Sequence, residues 1–338
     1  MQSLAVKYRP QRFEEVVGQE SIIDILEKQI ETKSFKNCYL FCGPSGDGKT
    51  TIARIFSNRI NNGIGTPIEI DAASNNGVDN IKNIVSSAYE RSLSSEYKIY
   101  IIDECHSLTS QAWQAFLKCI EEPPRYTIFI FCTTDPQKIP NTIINRCMRF
   151  NLSRLTPTQI YSRLYYISKE EGYLNFEDSI DYISKNCKGE LRLGISLLEK
   201  VASNCKDFNI DNTLSVLGSV SYRDYFNLIN LIIDNDEKTI IKLLSELYIS
   251  GLDIVLFVDQ FIHFCFDLMK YSLLHDFSVL SIPKYLEDWI KSSTNIKDAD
   301  KYFGYVINKL LLLKNNIKDE INPYDIVTIS LLQISRCE

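Results

Sequence analysis

The sequence has no long hydrophobic run, and this absence excludes one class of protein at once. Apolar side chains make up 45% of its 338 residues. Even so, no stretch reaches the ~18 uninterrupted apolar residues that a membrane-spanning helix needs. The first residues, 1–7 (MQSLAVK), do not read as a secretory signal peptide either. We therefore expect a cytoplasmic protein with no membrane partner.

Paired cysteine motifs are also missing. The chain has ten cysteines, but none forms a C-x-x-C pair, and several lie within strand or helix patterns. Disulfides are usual in small secreted proteins and rare inside cells. We interpret the cysteines as reduced, buried thiols.

An overall basic charge, which would favour nucleic acid, is the third missing feature. The formal net charge is −6 at pH 7. Any contact with nucleic acid must therefore use a local surface rather than a basic field around the whole molecule. The length predicts two or three domains of ~100 to 200 residues each.

One short loop is the clearest motif that is present. Gly43–Thr50 (GPSGDGKT) matches the pattern G-x-x-x-x-G-K-[ST] in full. The apolar run Cys38–Cys42 precedes it, and apolar residues at helical spacing follow it, so the loop joins a buried strand to a helix. Such a loop turns backbone N–H groups toward phosphate oxygens at the positive end of the helix.

The residue types of this phosphate-binding loop predict roles for its side chains. We expect Lys49 to reach the β- and γ-phosphates of ATP and the hydroxyl of Thr50 to bind Mg²⁺. Asp47 is an acidic residue inside an anion-binding loop, and we expect its side chain to point to solvent. The predicted cofactor-binding residues here are Gly43, Pro44, Ser45, Gly46, Asp47, Gly48, Lys49, Thr50 and Thr51.

Two carboxylates follow a second hydrophobic strand. Residues 97–102 (YKIYII) run into Asp103 and Glu104, which places both acids at the carboxyl edge of a parallel sheet. Asp103 is suited to orient Mg²⁺ or its waters, and Glu104 to position and polarise the water that attacks the γ-phosphate. The next strand, 127–132, ends in hydroxyl residues that either reach the nucleotide or form an ordinary turn.

The hydrophobic pattern changes at Thr156. This residue and Pro157 are typical of an N-cap and the first helical position. From there to the end the pattern predicts helices alone. They include a strongly apolar helix at about 252–275 and a helix at about 283–292. The predicted fold class is α/β followed by all-α.

Eight segments, taken in this order, resemble the gamma/tau subunits of bacterial clamp loaders, which are AAA+ ATPases of DNA polymerase III. The segments are Lys7–Pro10, Phe13–Gln19, Gly43–Thr50, Ile70–Ser74, Asp103–His106, Glu121–Pro124, Thr133–Lys138 and Arg146–Cys147. The resemblance covers residues 1 to about 200 and, more faintly, the helical C-terminal part. It implies an AAA+ P-loop core with a parallel sheet at 1–155, a helical lid at 156–218 and a helical collar at 219–338.

The resemblance also implies further site residues. Thr134 would be the sensor of the γ-phosphate, and Arg192 would be a second sensor from the lid. Arg146 would be an arginine finger that serves the ATP of a neighbouring subunit, although by pattern alone it reads as a surface cation. The residues implied at the adenine pocket are Tyr8, Arg9, Pro10 and Val17.

The function that the resemblance implies is that of an ATP-dependent motor using ATP and Mg²⁺. Within a five-subunit ring, it would help to open a sliding clamp, place it at a primer-template junction and release it on hydrolysis. The implied partners are the sliding clamp, other clamp-loader subunits and primer-template DNA, with DNA polymerase as an indirect partner.

The chain departs from the family at several points. Asn145 stands where the family's Ser-Arg-Cys motif has serine, and the segment Asn58–Pro67 lacks the cysteines of the family's zinc module. We therefore expect no zinc. The chain also stops after the implied collar, as expected of a short, gamma-like form from a phage or a reduced genome. It would act in the bacterial cytoplasm or in a phage-infected cell.

Two alternative functions stay open. A non-hydrolysing structural subunit would hold the ring together and donate Arg146, but it would have no need for the intact Lys49, Thr50, Asp103 and Glu104. Another DNA-remodelling AAA+ ATPase, such as a branch-migration motor, would share the core. Residues 133–138 and the all-helical C-terminal third favour the loader.

Contact with DNA is a weaker expectation. In a ring of such subunits, the helices predicted at 78–91 and from Ser110 would face the central channel. Phosphate contacts there would position DNA without reading its sequence. Ordinary solvated polar residues are the alternative interpretation. The candidates are Lys82, Arg91, Ser110 and Gln111.

Overall fold

The computed structural model describes residues 2–92, 94–204, 207–249, 251–282, 286–317 and 322–336. The chain divides into two compact units. The first comprises Met1–Arg163 with Cys187–Ser196, and the second comprises Leu164–Asn186 with Leu197–Glu338. The three-domain division at residues 155 and 218 stays a prediction.

The first unit is built on a five-stranded parallel sheet. Its strands are β1 (Cys38–Cys42), β2 (Ile68–Asp71), β3 (Lys98–Asp103), β4 (Thr127–Thr133) and β5 (Met148–Asn151). They lie in the order β2-β3-β4-β1-β5. Every residue of β1 and β4 is buried, and strands that are covered on both faces read in sequence as unbroken apolar runs.

Helices cover both faces of this sheet. On one face, α2 buries Leu26 and α3 buries Phe56. On the other face, α4 buries Ile81 and α5 buries Phe116. The helices of this part are α1 (Leu4–Lys7), α2 (Glu20–Thr32), α3 (Lys49–Ile60), α4 (Val78–Ala88), α5 (Ser110–Glu121) and α6 (Asn141–Ile144).

The strand order brings the predicted site residues to one edge of the sheet. β1 lies beside β4, and the backbone N–H of Gly43 donates to the carbonyl oxygen of Thr133 at 3.2 Å. β3 lies on the other side of β4 and ends at Asp103. The phosphate-binding loop and the acidic strand end therefore share the carboxyl edge, where open parallel sheets bind ligands.

The described residues from 157 onward are mainly helical. A large apolar core lies within the second unit and includes Phe226, Phe261 and Phe303. The helices are α7 (Pro157–Glu170), α8 (Glu177–Asn186), α9 (Leu191–Asn204), α10 (Ile210–Leu217), α11 (Tyr222–Ile233), α12 (Glu237–Ile249), α13 (Ile254–Leu274), α14 (Glu287–Thr294), α15 (Ala299–Ile317) and α16 (Pro323–Ser335). Within the described ranges, no helix combines the length and apolar character needed to cross a membrane.

The predicted fold class, α/β followed by all-α, is confirmed. The structure adds detail to this prediction at three places. The first residues contain α1 and a 3₁₀ turn at Phe13–Glu15, too short to show a periodic pattern. Helix α4 ends at Ala88 and does not extend to Arg91. In the segment predicted as a helix at 283–292, residues 283–285 lie outside the described residues.

Candidate nucleotide-binding site

The phosphate-binding loop connects β1 to α3. Gly48 has φ +95°, in the left-handed region that favours glycine. A Cβ added at Gly43 would lie 2.9 Å from the carbonyl oxygen of Leu152. These two positions require glycine, which leaves the loop backbone bare for close approach to a ligand. α3 begins at Lys49, so the positive end of its dipole adds to the anion-binding character of the loop.

Lys49 is turned onto its own loop. Its Nζ donates to the carbonyl oxygens of Gly43 at 2.9 Å and Pro44 at 2.7 Å, and the residue is only 5% exposed. Both acceptors are neutral carbonyls. An ionised phosphate would add Coulombic attraction to such bonds, because donor and acceptor would then both be charged. The ammonium is thus placed to exchange these partners for a phosphate.

A hydroxyl and a carboxylate meet at the predicted magnesium position. Thr50 donates to Oδ2 of Asp103 at 2.7 Å, which joins the start of α3 to the end of β3. Oδ1 of Asp103 accepts from the backbone N–H of Glu104 at 3.0 Å. Mg²⁺ is usually bound by one or two such oxygen ligands together with water and substrate phosphates, so this pair fits the ion.

Glu104 lies in a tight turn directly after β3. Its φ is +46°, a conformation that few non-glycine residues adopt, and a 3₁₀ turn follows at Cys105–Ser107. The hydroxyl of Thr134 donates to Oε2 of Glu104 at 3.0 Å. This strained turn therefore aims the carboxylate at the neighbouring strand end, where Thr134 lies.

His106 is a second neighbour of Glu104, to which sequence reasoning assigned no role. Its Nδ1 lies 3.3 Å from Oε2 of Glu104 and 3.3 Å from Oγ1 of Thr133. The imidazole thus links the ends of β3 and β4 beside the carboxylate. The sequence contains one indication of a role for His106, because the residue belongs to the segment Asp103–His106 that resembles the family. A 3₁₀ turn at Cys105–Ser107 places it beside Glu104.

Asp47 is buried inside the loop. It is 4% exposed, and within the part of the chain that the structure describes neither carboxylate oxygen has a hydrogen-bond partner. Burial raises the pKa of Asp47 to about 6, although Lys49 and Arg154 favour the ionised form. Glu190 opposes ionisation as well. A buried carboxylate without partners is costly to ionise.

The prediction that Asp47 points to solvent is wrong. A Cβ added at the adjacent Gly46 would lie 3.5 Å from Cβ of both Glu190 and Arg192. The start of α9 therefore packs over the loop. This contact joins residues far apart in the chain, so the local sequence of the loop gives no indication of it.

Substitution of Asp47 by asparagine is expected to stabilise the protein in a pH-dependent way. The pKa of Asp47 is about 6 in the fold against an ordinary 3.8, so protonation favours the folded state below pH 3.8, and this benefit is lost as the pH rises through 6. Asp47→Asn should therefore raise the free energy of unfolding by about 1–3 kcal/mol at pH 7.5 and change it little at pH 4. Urea unfolding at both pH values measures this.

The control for that measurement is Asp24→Asn, which alters an exposed acid on α2. It should leave the free energy of unfolding nearly unchanged at both pH values. An equal gain from Asp47→Asn at pH 4 and pH 7.5 would contradict the prediction, because it would show that the carboxylate does not titrate differently in the fold.

A cavity of about 270 Å³ lies beside the loop. This volume is close to the lower end of the ~300–1,000 Å³ range of small-molecule sites. The cavity brings together the residues predicted at the adenine, the phosphates and the metal. Its lining includes Tyr8, Arg9, Pro10, Val17, Ser45, Gly46, Asp47, Gly48, Lys49, Thr50, Thr51, Asp103, Glu104 and Arg192.

Arginines are concentrated around this cavity. Nε of Arg9 donates to Oγ1 of Thr51 at 3.2 Å, and burial, followed by the nearby Arg54, lowers the pKa of Arg9. Arg192 also lowers the pKa of Arg9, while Glu69 and Asp103 raise it, so three arginines lie close together beside two acids. Such a cluster favours a polyanionic ligand.

Arg163 is a cavity residue that sequence reasoning missed. It lies on α7 and lines the cavity, and its guanidinium donates to the carbonyl oxygen of Tyr8 at 2.8 Å. The contact fixes the N-terminal segment that carries the predicted adenine residues. No sequence motif surrounds Arg163, and the two residues are far apart in the chain.

Arg146 lies near the opposite edge of the sheet. It precedes β5, whose first residue, Met148, pairs with Tyr39 near the start of β1. The phosphate-binding loop begins at Gly43, four positions further along β1, which corresponds to about 13 Å at 3.3 Å per residue. The side chain contacts Glu121 at 2.7 Å. The structure thus separates the predicted finger from the cavity of its own chain.

The four residues predicted to face DNA lie on or near α4 and α5. Lys82 forms an ion pair at 3.6 Å with an aspartate one turn away in α4. The guanidinium of Arg91 lies 4.6 Å from the ring centroid of Tyr126. Ser110 and Gln111 are exposed at the start of α5. Contact with DNA stays a prediction for all four.

Comparison with known proteins identifies the family. The chain is 33% identical over 287 residues to DNA polymerase III subunit gamma of Buchnera aphidicola subsp. Schizaphis graminum, a match covering 78% of this chain and 79% of that protein. The chain belongs to the DNA polymerase III gamma/tau family. The resemblance predicted from the sequence motifs is thereby confirmed.

Other gamma/tau relatives are longer. The chain is 38% identical over 293 residues to DNA polymerase III subunit tau of Bacillus subtilis, covering 80% of this chain and 52% of that protein. It is 33% identical over 297 residues to the gamma/tau subunit of Mycoplasma genitalium, covering 81% of this chain and 50% of that protein. The chain spans about half the length of these two relatives.

A family model and solved structures agree on the core. The model described as DNA polymerase III, delta subunit, matches residues 62–156. Among solved structures, the RuvB Holliday junction branch migration motor of Thermotoga maritima superposes with a TM-score of 0.53. It is 20% identical, and the match covers 73% of this gamma/tau chain and 86% of that chain. At this identity the likeness shows the fold alone, and it confirms the AAA+ fold.

Proposed function

We propose that this chain is an ATP-hydrolysing motor subunit of a clamp loader. The observation that carries the proposal is the convergence of Lys49, the Thr50–Asp103 pair and the Glu104–Thr134 pair at one edge of the sheet. Relatives named as gamma and tau subunits of DNA polymerase III support a role in replication. A purely structural subunit would have no need for this arrangement.

Each side chain has a task that its geometry supports. Lys49 leaves the carbonyls of the loop and binds phosphate oxygens, while the backbone N–H groups of the loop bind the remaining charge. Mg²⁺, held by Thr50 and Asp103, would neutralise charge on the phosphates and orient them. Glu104 positions the attacking water and accepts its proton.

The hydroxyl of Thr134 can donate its hydrogen bond either to Glu104 or to a bound γ-phosphate. A threonine hydroxyl has one proton to donate, and in the structure this proton goes to Glu104 at 3.0 Å. As the proposed sensor, Thr134 would donate instead to the γ-phosphate. Glu104 is then released to orient water, so that the carboxylate becomes active only when the nucleotide is in place.

Arg146 is the proposed finger for a neighbouring subunit. It precedes β5, whose first residue pairs with β1 four positions before the phosphate-binding loop, and this place near the amino edge of the sheet supports a role at another chain's nucleotide. We propose a five-subunit ring in which Arg192 acts from the same chain and Arg146 acts across the interface. The sliding clamp, primer-template DNA and, indirectly, DNA polymerase complete the set of partners.

Substitution of Lys49 by alanine tests the proposed activity. We expect Lys49→Ala to lower the rate of ATP hydrolysis by at least about 100-fold, because it removes a charge-assisted bond to the phosphates. Steady-state hydrolysis should be measured for the chain with its partner subunits, primed DNA and the sliding clamp. The wild type should be stimulated by clamp and DNA together.

The matched control is Lys28→Ala, which removes an exposed lysine on α2 and should leave the rate unchanged. A wild-type chain that neither binds nor hydrolyses ATP in any of these mixtures would favour the structural-subunit alternative. Stimulation by branched DNA junctions without any effect of the clamp would favour a branch-migration motor.

A further inference from the structure

The backbone on either side of Arg146 is fixed by the core. Ile143, in α6, is 1% exposed, and the partly buried Cys147 packs against the same cluster of sheet and helix side chains. The backbone N–H of Arg146 donates to the carbonyl oxygen of Ile143 at 3.0 Å. The base of the arginine side chain therefore has a defined position, while 40% of the side chain is exposed.

Two acceptors of the same chain define the plane of the guanidinium. Nη2 of Arg146 lies 2.7 Å from Oε1 of Glu121, and Nη1 donates to the carbonyl oxygen of Thr142 at 2.7 Å. A guanidinium carries five N–H donors in a rigid fork. The contacts with Glu121 and Thr142 use two of these N–H donors. They also fix the guanidinium plane, and this plane sets the direction of the other three donors.

Glu121 is placed where a helix by itself would disfavour it. It is the last residue of α5 and is followed by Glu122 and a pair of prolines. A negative side chain at a helix C-terminus is opposed by the helix dipole, so the residue does not stabilise α5. An exposed ion pair also adds little to stability. What the carboxylate supplies is a fixed direction for the cation.

We propose that Glu121 is a positioning residue that orients Arg146 toward the nucleotide of a neighbouring subunit. This inference rests on the proposed function. A guanidinium that is already oriented loses less conformational freedom on reaching the transition state, and it presents its charge without reorganisation. Without the carboxylate, the arginine keeps its charge and its anchored backbone but samples other directions.

The test compares Glu121→Gln with Glu122→Gln in the assembled loader with primed DNA and clamp. We expect Glu121→Gln to lower kcat for ATP hydrolysis about 3- to 5-fold with KM unchanged, because orientation matters at the transition state rather than in nucleotide binding. Glu122→Gln removes a neighbouring acid of the same segment and should retain the wild-type kcat. Glu121→Asp should restore part of the loss.

A double substitution separates positioning from a general structural effect. In the Arg146→Ala background, Glu121→Gln should cause no further decrease in kcat, because the group that it orients is gone. An additional decrease of the same size in that background, or a single Glu121→Gln variant as fast as the wild type, would overturn the inference. If the wild-type loader itself fails to hydrolyse ATP, the proposed function fails first.

Discussion

Substitution of Glu104 by glutamine is expected to lower kcat for ATP hydrolysis by about 10²- to 10⁴-fold, with nucleotide binding retained. Glutamine has the same shape and can still accept the hydrogen bond that Thr134 donates at 3.0 Å. It cannot accept a proton from the attacking water, and general bases contribute rate factors of this size. Single-turnover hydrolysis and equilibrium binding of a fluorescent ATP analogue measure the two quantities separately.

The control for Glu104→Gln is Glu90→Gln, which alters an exposed acid just beyond α4. It should retain the wild-type kcat. A Glu104→Gln variant that binds the analogue normally and hydrolyses ATP at the wild-type rate would show that another group activates the water. His106, 3.3 Å from the same carboxylate, would then be the next residue to test.

Arg146→Ala is expected to abolish the stimulated ATPase activity of the assembled loader. Arginine fingers supplied by a neighbouring protein are worth ~10³ to 10⁵ in rate where they have been measured. The variant should still bind ATP like the wild type, because Arg146 lies near the other edge of the sheet from its own cavity. Steady-state hydrolysis with clamp and primed DNA, together with ATP binding, measures the effect.

Mixing variants tests whether Arg146 acts across an interface. Lys49→Ala chains keep the finger but lack the phosphate lysine, and Arg146→Ala chains keep their own site. Each is inactive alone, and a mixture should recover part of the rate. Arg59→Ala, which removes an exposed arginine on α3, is the control and should be fully active. Absence of recovery in mixtures that assemble normally would contradict action in trans.

The sequence predicts those features of this protein that depend on local pattern. The buried strand Cys38–Cys42 is an unbroken apolar run because helices cover both faces of the sheet. The sequence predicts a phosphate-binding loop at Gly43–Thr50 because its glycines, lysine and threonine each have a role in binding phosphate or metal. Placement of Asp103 and Glu104 at the same edge follows from parallel strands alone.

The features that escaped sequence reasoning depend on packing between distant residues. Asp47 is buried in a loop whose neighbouring Gly46 contacts the start of α9. Arg163 reaches the carbonyl of Tyr8 from α7. No periodicity or motif encodes such contacts, since they are set by how helices pack rather than by their immediate sequence. The roles of the individual site residues stay predictions until the variants above are measured.

The separation of Arg146 from the phosphate-binding loop affects how the ATPase rate depends on protein concentration. Under the proposed function, each chain contributes one half of two different sites and cannot complete either. ATP hydrolysis then requires two adjacent chains. The hydrolysis rate per chain therefore rises with protein concentration and falls on dilution. The fraction of chains with bound nucleotide would not depend on protein concentration in this way, because one chain binds nucleotide alone.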